Sequence, residues 1–295
     1  MSSQLLLALP VTAAFATLAY RLGMASPRGA AGGLLVGAPV YACLGPQGFA
    51  LLVLFVVGGS ALTRLGYDRK RRAGGAEAHG GRRGARNALA NAGVAVLCAL
   101  LYALNLSDAF SAAYVAAVGA AFADTAESEV GQLSRRPPRL VTSLRKVPPG
   151  TDGAVSLPGT LAGIAAAALT AGLGWGVGLT TGPAAAVLVA LAAFLGTVAD
   201  SLVGARLPRL GNEATNVLCT LAGVAAAGRT AGLGLALGLV GGWGVAGLVA
   251  LAALLGTGAD SLVGARLPGI GNEATNVVCT LVAAALALAF HFFIR

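Results

Sequence analysis

The chain is poor in charged and aromatic residues for its length. Of its 295 residues only 11% are Asp, Glu, Lys or Arg and only 5% are aromatic. A soluble domain of this size carries roughly a quarter charged residues, so the composition excludes an ordinary water-soluble protein. Several uncharged runs reach about 15 to 20 residues, enough for a helix to cross about 30 Å of hydrocarbon.

Residues that serve metal, redox and nucleotide-loop chemistry are scarce as well. The four cysteines stand singly without a Cys-x-x-Cys pair, which gives no zinc or dithiol signal. The two histidines have no partner nearby in sequence. No Gly-Lys-Ser or Gly-Lys-Thr occurs, which excludes a Walker A loop. The first residues lack the basic region of a signal peptide and predict a retained first helix.

Alternating apolar and polar segments predict an all-α fold, a single polytopic transmembrane helical bundle over residues 1–295. About ten helices are expected, near residues 4–20, 30–44, 48–63, 87–105, 109–123, 154–176, 183–204, 214–238, 243–264 and 274–294. The 44 glycines and the many alanines favour helices that pack closely through small residues.

Basic residues are distributed unevenly between the loops of this bundle. The loop at residues 64–86 alone contains eight basic and two acidic residues, and 18 of the 20 Lys and Arg fall on one side. The positive-inside rule makes that side cytoplasmic and places both termini outside. Because the charge alternates with membrane spans, it is a topology signal, and nucleic acid is not expected as a partner.

Carboxylates collect on the same side. The stretch "FADTAESEVG" ends an apolar run, and similar Gly-then-Asp segments, "GTVADS" and "GTGADS", end two later helices. Such a cluster is costly near a membrane unless bound cations or basic partners relieve it. The candidate metal ligands are Asp124, Glu127, Glu129, Asp200 and Asp260. In a regular helix Glu129 points about 140° away from Asp124, so both hold one ion only if the helix unwinds there.

Residues 161–220 and 221–280 form a tandem repeat. They align without a gap, and about 43 of 60 positions are identical. Each copy supplies two helices and a turn that contains "GNEATNV". The polar residues of these turns either cap the next helix or line a binding site, and the sequence leaves both open. They are Asn212, Glu213 and Asn216 in the first copy and Asn272, Glu273 and Asn276 in the second.

The segment "LRKVPPGTDGAVSLPGT", residues 144–160, has the composition of a phosphate-binding turn. Arg145 and Lys146 precede a turn formed by Gly150, Thr151, Asp152 and Gly153 ahead of a predicted helix. Backbone N–H groups in a glycine turn at a helix start bind anions, and basic side chains add charge. An ordinary connecting turn is the alternative interpretation.

The segments "ALTRLG", "GRRGARNALAN", "ADTAESEVG", "RKVPPGTDGAVSLPGTLAG", "DSLVGA" and "NEATNV" resemble the membrane-protein family that contains phytyl-phosphate kinase. The similarity covers roughly residues 50 to 280, and this chain departs from the family pattern by repeating the final unit. The chain is also distantly similar to polyprenol, phytol and dolichol kinases. It implies that an isoprenoid monophosphate is phosphorylated to the diphosphate by a nucleoside triphosphate, with CTP suspected.

Carried over by position, the first family motif matches Asp124, Ser128 and Glu129. The second matches Arg145, Pro148, Gly150, Thr151 and Gly153, and the last matches Asp200 or Asp260 with the polar turn of the same copy. Together with the reading of the residues, this predicts a Mg²⁺-dependent kinase. Its catalytic residues would be Asp124, Glu129, Arg145 and Lys146, and Ser128, the glycine turn and the "NEATN" residues would bind substrate or nucleotide.

Two other functions are also compatible with the sequence. Tandem units and acidic residues also suit an ion-coupled transporter, although both copies keep the same orientation and the acids cluster at one face. A cytidylyltransferase acting on a lipid phosphate would need the same metal and nucleotide. The expected partners are the nucleoside triphosphate, the lipid and the membrane, and a homo-oligomer is possible. The expected location is a prokaryotic plasma membrane, with the active site on the cytoplasmic side.

Overall fold

The computed structural model describes residues 2–206 apart from 74 and 78, together with residues 214, 216, 217, 219–221, 223 and 224. The helices are α1 (Ser2–Arg21), α2 (Pro27–Arg64), α3 (Tyr67–Arg72), α4 (Ala85–Ala103), α5 (Ala109–Gly131), α6 (Leu157–Gly176) and α7 (Pro183–Arg206). All except α3 are long and apolar enough to cross a membrane. The predicted helical membrane architecture is therefore confirmed for this part of the chain.

Helix α2 contains a sharp reversal. Gly45 has φ 64° and ψ −160°, a backbone conformation that suits glycine and interrupts the helix. A Cβ built on Gly37 would lie 3.1 Å from Cε2 of Phe49, although twelve residues of straight helix would separate the two by about 18 Å. The chain therefore turns back at Gly45. The two arms of α2 correspond to the second and third predicted helices.

The chain segments rich in Arg and Lys meet at one end of the bundle. The Arg64 guanidinium at the end of α2 donates to the carbonyl of Leu22 after α1. The Ser26 N–H before α2 donates to the carbonyl of Arg83 before α4, at 3.0 Å. This end, which also contains the last turns of α5 and α7 and the start of α6, is called the basic end below. The structure thus brings together loops that the charge pattern had placed on one side.

Helix α5 is the centre of the bundle. Its residues from 109 to 123 are buried, and it packs against α2, α4, α6 and α7. Close approach depends on small residues, since a Cβ on Gly159 of α6 would meet the Glu127 carbonyl of α5 at 2.6 Å. The predicted end of this helix near residue 123 is wrong: α5 continues to Gly131. No Gly or Pro interrupts residues 124–130, and polar side chains there find partners described below.

The loop between α5 and α6 contains two short antiparallel strands, β1 (Arg139–Leu140) and β2 (Ala154–Val155). These strands are two residues each and leave the fold mainly helical, and the sixth helix begins at Leu157 and not near residue 154. Prolines at 137, 138, 148 and 149 disfavour helix on both sides of the loop. The Val141 N–H donates to the Gly153 carbonyl at 3.0 Å, which closes the loop over the end of α7.

The last three predicted helices, near 214–238, 243–264 and 274–294, lie outside the described residues apart from scattered helical positions between 214 and 224. The same holds for the second repeat copy. The first copy supplies α6 from residue 161 onward and α7. The predicted count of about ten helices and the pairing of the two copies stay predictions.

Candidate functional site

A polar cavity of about 400 Å³ opens at the basic end. Its walls come from the last turns of α5 and α7, from the loop around β1 and β2, and from the segment that follows α3. The side chains that carry charge or hydrogen-bonding groups there include Glu77, Arg83, Asp124, Glu127, Ser128, Glu129, Gln132, Thr151, Asp152, Asp200, Ser201 and Asn216. Segments far apart in sequence therefore contribute to one polar site.

Asp124 of α5 and Asp200 of α7 both line this cavity. Their carboxylates, together with that of Glu127, are close enough for their charges to act on one another. The side-chain hydroxyl of Thr160 on α6 donates to Glu127 Oε1 at 3.0 Å and holds this carboxylate at the α5–α6 contact. The structure thus brings together three of the five candidate metal ligands. Asp260 lies outside the described residues.

Glu129 is also in the cavity wall, but its carboxylate is committed to other groups. Its Oε2 lies 2.6 Å from Lys70 Nζ, and its Oε1 accepts a hydrogen bond of 2.5 Å from the Thr63 hydroxyl. The side chain is only 4% exposed. Because α5 remains helical here, the unwinding needed for Asp124 and Glu129 to share an ion does not occur. No three Asp, Glu, His or Cys side chains of the described residues are arranged as a metal site.

Lys70 is the buried partner that sequence reasoning missed. It belongs to the short helix α3, in a loop that was interpreted only as a topology determinant. Its ammonium group also donates to the carbonyls of Leu62 and Thr63, at 2.9 and 2.8 Å, in the last turn of α2. A cation at a helix C-terminus satisfies free carbonyls and complements the helix dipole. The segment "ALTRLG" supplies the two accepting carbonyls, but Lys70 itself lies outside it, among other basic residues of the same loop.

Among the described residues, Arg83 is the cation that lines the cavity. Its Nη1 lies 3.6 Å from Glu77 Oε1, and its Nη2 lies 3.7 Å from Glu129 Oε1. The predicted phosphate-binding residues Arg145 and Lys146 are exposed in the tight turn after β1 and are not part of the cavity wall. The second missed residue, Arg83, stands within "GRRGARNALAN", and the sequence offered no way to prefer it over Arg145 and Lys146.

Residues 150–153 form the predicted glycine turn, and all four line the cavity. The turn is held internally, since the Thr151 hydroxyl donates to the Pro148 carbonyl at 2.8 Å and the Ala154 N–H donates to the Thr151 carbonyl at 3.1 Å. It does not open a helix as expected, because β2 and Ser156 separate it from α6. Any anion at this turn would be bound by local N–H groups and not by the α6 dipole.

The polar "NEATN" turn is only partly described. Asn216 is buried and lines the cavity. Ser128, from the first family motif, is exposed and also lines it. The other members of the predicted set, Asn212, Glu213, Asn272, Glu273 and Asn276, lie outside the described residues.

Gly153 is expected to tolerate no side chain. It has φ +71°, and a Cβ would lie 2.5 Å from both Ala205 N and the Ser201 carbonyl of α7. Because both contacts are backbone, we expect Gly153→Ala to lift the loop from α7. Trypsin cleavage at Arg145 or Lys146 in detergent should then accelerate on the order of 10-fold.

Gly178→Ala is the matched control for this substitution. Gly178 has a similar φ of +81° but no neighbouring atom within 4 Å of a Cβ. It introduces comparable backbone strain without a clash, and its loop cleavage should match that of the wild-type protein. Equal cleavage of the Gly153 and Gly178 variants would contradict the close contact between the loop and α7.

The fold and the cavity define a multi-pass integral membrane protein with a polar, carboxylate-containing site at one end of its helical bundle. The chain belongs to the family described as Integral membrane protein DUF92, which matches residues 10–218. The match includes every described residue of the polar cavity and ends within the first repeat copy.

Several related proteins align with more than half of this chain. Uncharacterized membrane protein sll0875 of Synechocystis sp. is 40% identical over 200 residues, which cover 65% of this chain and 77% of that protein. Protein VTE6, chloroplastic, of Arabidopsis thaliana is 33% identical over 204 residues, covering 65% and 61%. Uncharacterized membrane protein MJ0933 of Methanocaldococcus jannaschii is 36% identical over 188 residues, covering 62% and 76%. No solved structure matches significantly.

Proposed function

We propose that this protein is a Mg²⁺-dependent lipid kinase that transfers a phosphoryl group from a nucleoside triphosphate to an isoprenoid monophosphate. The observation that carries the proposal is the convergence of Asp124 and Asp200 in one polar cavity that the glycine turn also lines. The motifs shared with the family that contains phytyl-phosphate kinase support the same reaction. CTP is the donor suggested by that resemblance.

The carboxylates of the cavity suit Mg²⁺ better than they suit an ion that is coordinated by protein side chains alone. Mg²⁺ is usually bound by one or two carboxylates together with substrate phosphates and water. Asp124 and Asp200 would supply those carboxylates, which agrees with the lack of a three-residue metal cluster among the described residues. Once bound, the ion would neutralise charge on the phosphate oxygens of the donor.

The remaining cavity residues have roles that follow from their positions. The turn at residues 150–153 and the exposed Ser128 hydroxyl offer hydrogen bonds to a triphosphate, and Arg83 offers positive charge to a phosphate of the donor or of the acceptor. In the reaction an oxygen of the acceptor phosphate bonds to the γ-phosphorus. The bond from that phosphorus to the oxygen bridging to the β-phosphate breaks, and the nucleoside diphosphate leaves.

This chemistry requires no general base from the protein. A phosphate monoester is largely dianionic near neutral pH, so the attacking oxygen carries no proton that must be removed. Catalysis then depends on positioning and on charge neutralisation, which Arg83 and a Mg²⁺ ion held by the carboxylates would provide. The scarcity of histidine in the chain is consistent with this mechanism.

The first repeat copy is proposed to complete the site. Asp200 and Asn216 of that copy line the cavity, and the family match ends at residue 218. The second copy, with Asp260, would then be an addition to the family pattern. The positive-inside rule assigns the basic end to the cytoplasm, where nucleoside triphosphates are available, and a prokaryotic plasma membrane is the proposed location.

The test is direct assay of the purified, detergent-solubilised protein. We expect geranylgeranyl or phytyl monophosphate, with Mg²⁺ and γ-labelled CTP or ATP, to yield labelled isoprenoid diphosphate and the nucleoside diphosphate. Folded protein that forms no labelled lipid would contradict the proposal. Pyrophosphate release with the nucleotide retained on the lipid would indicate cytidylyl transfer, and ion flux in proteoliposomes without nucleotide would indicate a transporter.

A further inference from the structure

A second cavity, of about 100 Å³, lies between α1, α2 and α4. Its walls are almost entirely apolar, and aromatic rings from two helices, those of Phe15, Phe49 and Phe55, form part of them. Phe15 and Phe49 pack edge to face, with ring centroids 5.6 Å apart. The apolar lining favours a hydrocarbon group as the occupant of this cavity.

Arg83 belongs to both cavities. On the apolar side its Nη1 lies 3.1 Å from Asn87 Oδ1, and on the polar side it lies 3.6 Å from Glu77 Oε1. The wall between the two cavities is thin near Gly59 of α2. This residue lines the apolar cavity, and a Cβ on it would lie 3.5 Å from Cγ2 of Thr125, which lines the polar one.

The guanidinium of Arg83 is available for exchange with a phosphate. Its partner Glu77 is 37% exposed, and ion pairs that are partly solvated and this long contribute little to stability. Of its other carboxylate neighbours, Glu129 is already neutralised by Lys70 at 2.6 Å, and Asp124 lies in the polar cavity. A phosphate monoester dianion can therefore replace Glu77 at Arg83 with a favourable change in charge pairing.

We infer that the acceptor lipid binds across these two cavities, with its single isoprenoid tail between α1, α2 and α4 and its phosphate at Arg83. This inference rests on the proposed function and assigns the tail-binding site. The phosphate then faces the cavity that contains Asp124 and Asp200. A bilayer phospholipid carries a less charged phosphodiester, which would pair less favourably with the Arg83 cation.

Gly33→Leu tests the tail site. Gly33 lines the apolar cavity, and a Cβ there meets no atom within 4 Å, so the substitution introduces no clash at the Cβ. We expect KM for geranylgeranyl monophosphate to rise about 10-fold or more, with a smaller rise for dimethylallyl monophosphate, whose short tail occupies less of the cavity. Equal kinetics of wild type and variant on both acceptors would overturn the tail site but leave the kinase proposal intact.

Gly172→Leu is the matched control. Gly172 is an exposed glycine of α6, likewise without an atom within 4 Å of a Cβ, and it lies outside the walls of both cavities. Its kinetics with both acceptors should equal those of the wild-type protein. Loss of long-chain turnover in both leucine variants would show a general effect of the substitution and would overturn the assignment.

A binding measurement tests the inference without turnover. Geranylgeranyl monophosphate with a diazirine on its tail should crosslink to α1, α2 and α4 peptides that line the apolar cavity, and Gly33→Leu should abolish the crosslink. Unlabelled geranylgeranyl monophosphate should compete, whereas phosphatidylglycerol should not. Crosslinks on the outer surface of the bundle, or equal competition by the phospholipid, would overturn the tail site. Cavity labelling in a protein without kinase activity would support the site and refute the proposed reaction.

Discussion

Asp124→Asn is expected to lower the rate of isoprenoid diphosphate formation on the order of 100-fold or more while the protein remains folded. The substitution keeps the size of the side chain and removes the charge that would hold Mg²⁺ with the donor phosphates in the cavity. The measurement is the initial rate of labelled diphosphate formation at saturating Mg²⁺, with thermal unfolding in detergent as the check on folding.

Asp108→Asn, at the N-cap of the same helix, is the control. Asp108 precedes α5 at the end of the bundle opposite the basic end, it is exposed, and its side chain makes no capping hydrogen bond. Its variant should retain the wild-type rate. If Asp124→Asn were as active as Asp108→Asn, the cavity would not be the site of phosphoryl transfer.

Replacing the matched aspartate of each repeat copy by asparagine distinguishes the two copies. Asp200→Asn should reduce the rate to a similar extent as Asp124→Asn, because both carboxylates line the cavity. Asp260→Asn should reduce it less, because the family match that includes Asp200 ends at residue 218. A larger loss for Asp260→Asn would assign the site to the second copy.

Lys70→Met is expected to lower the free energy of unfolding by about 3–5 kcal/mol. The substitution removes the closest cation of the buried Glu129 carboxylate and leaves Arg83 at 3.7 Å, and it removes the donor to the last carbonyls of α2. The measurement is thermal or denaturant-induced unfolding in a defined detergent. The double variant Lys70→Met/Glu129→Leu should recover much of the loss, because neither charge then remains buried.

An exposed ion pair in the same short helix provides the comparison. Arg71 and Asp68 lie 3.3 Å apart, with side chains 69% and 73% exposed. Exposed pairs contribute about 1 kcal/mol or less, so Arg71→Met should change stability little. If Lys70→Met and Arg71→Met unfolded alike, the Lys70–Glu129 pair would not be a buried structural contact.

Much of the architecture could be predicted from local sequence. Long uncharged runs must form helices in a membrane, because only a helix satisfies its own backbone hydrogen bonds in hydrocarbon. The positions of the first seven predicted helices are accordingly confirmed, including both arms of α2, although several of their ends differ. Asp124 and Asp200 each lie where an apolar run meets a basic segment, which predicts that they lie at the same end of the bundle. The structure brings both to one cavity.

The composition of the site was less predictable. Glu129 and Asp124 are equivalent in sequence terms, yet one is neutralised by Lys70, 59 residues away, and the other faces the cavity. Likewise nothing local distinguishes Arg83 from Arg145 or Lys146, although only Arg83 lines the cavity walls. Pairing between charges depends on which helices are neighbours, and that information is not contained in any short segment.

The sequence by itself determined that this protein is a bundle of membrane helices whose charges gather at one end. It did so because burial of an unsatisfied backbone or an unpaired charge in lipid costs more than any local preference can offset. The tertiary structure alone decided which acids are left facing the cavity and which cation stands between the polar and apolar cavities. Those outcomes depend on distances of a few ångströms between helices that are remote in the chain, and electrostatic interactions change steeply over such distances.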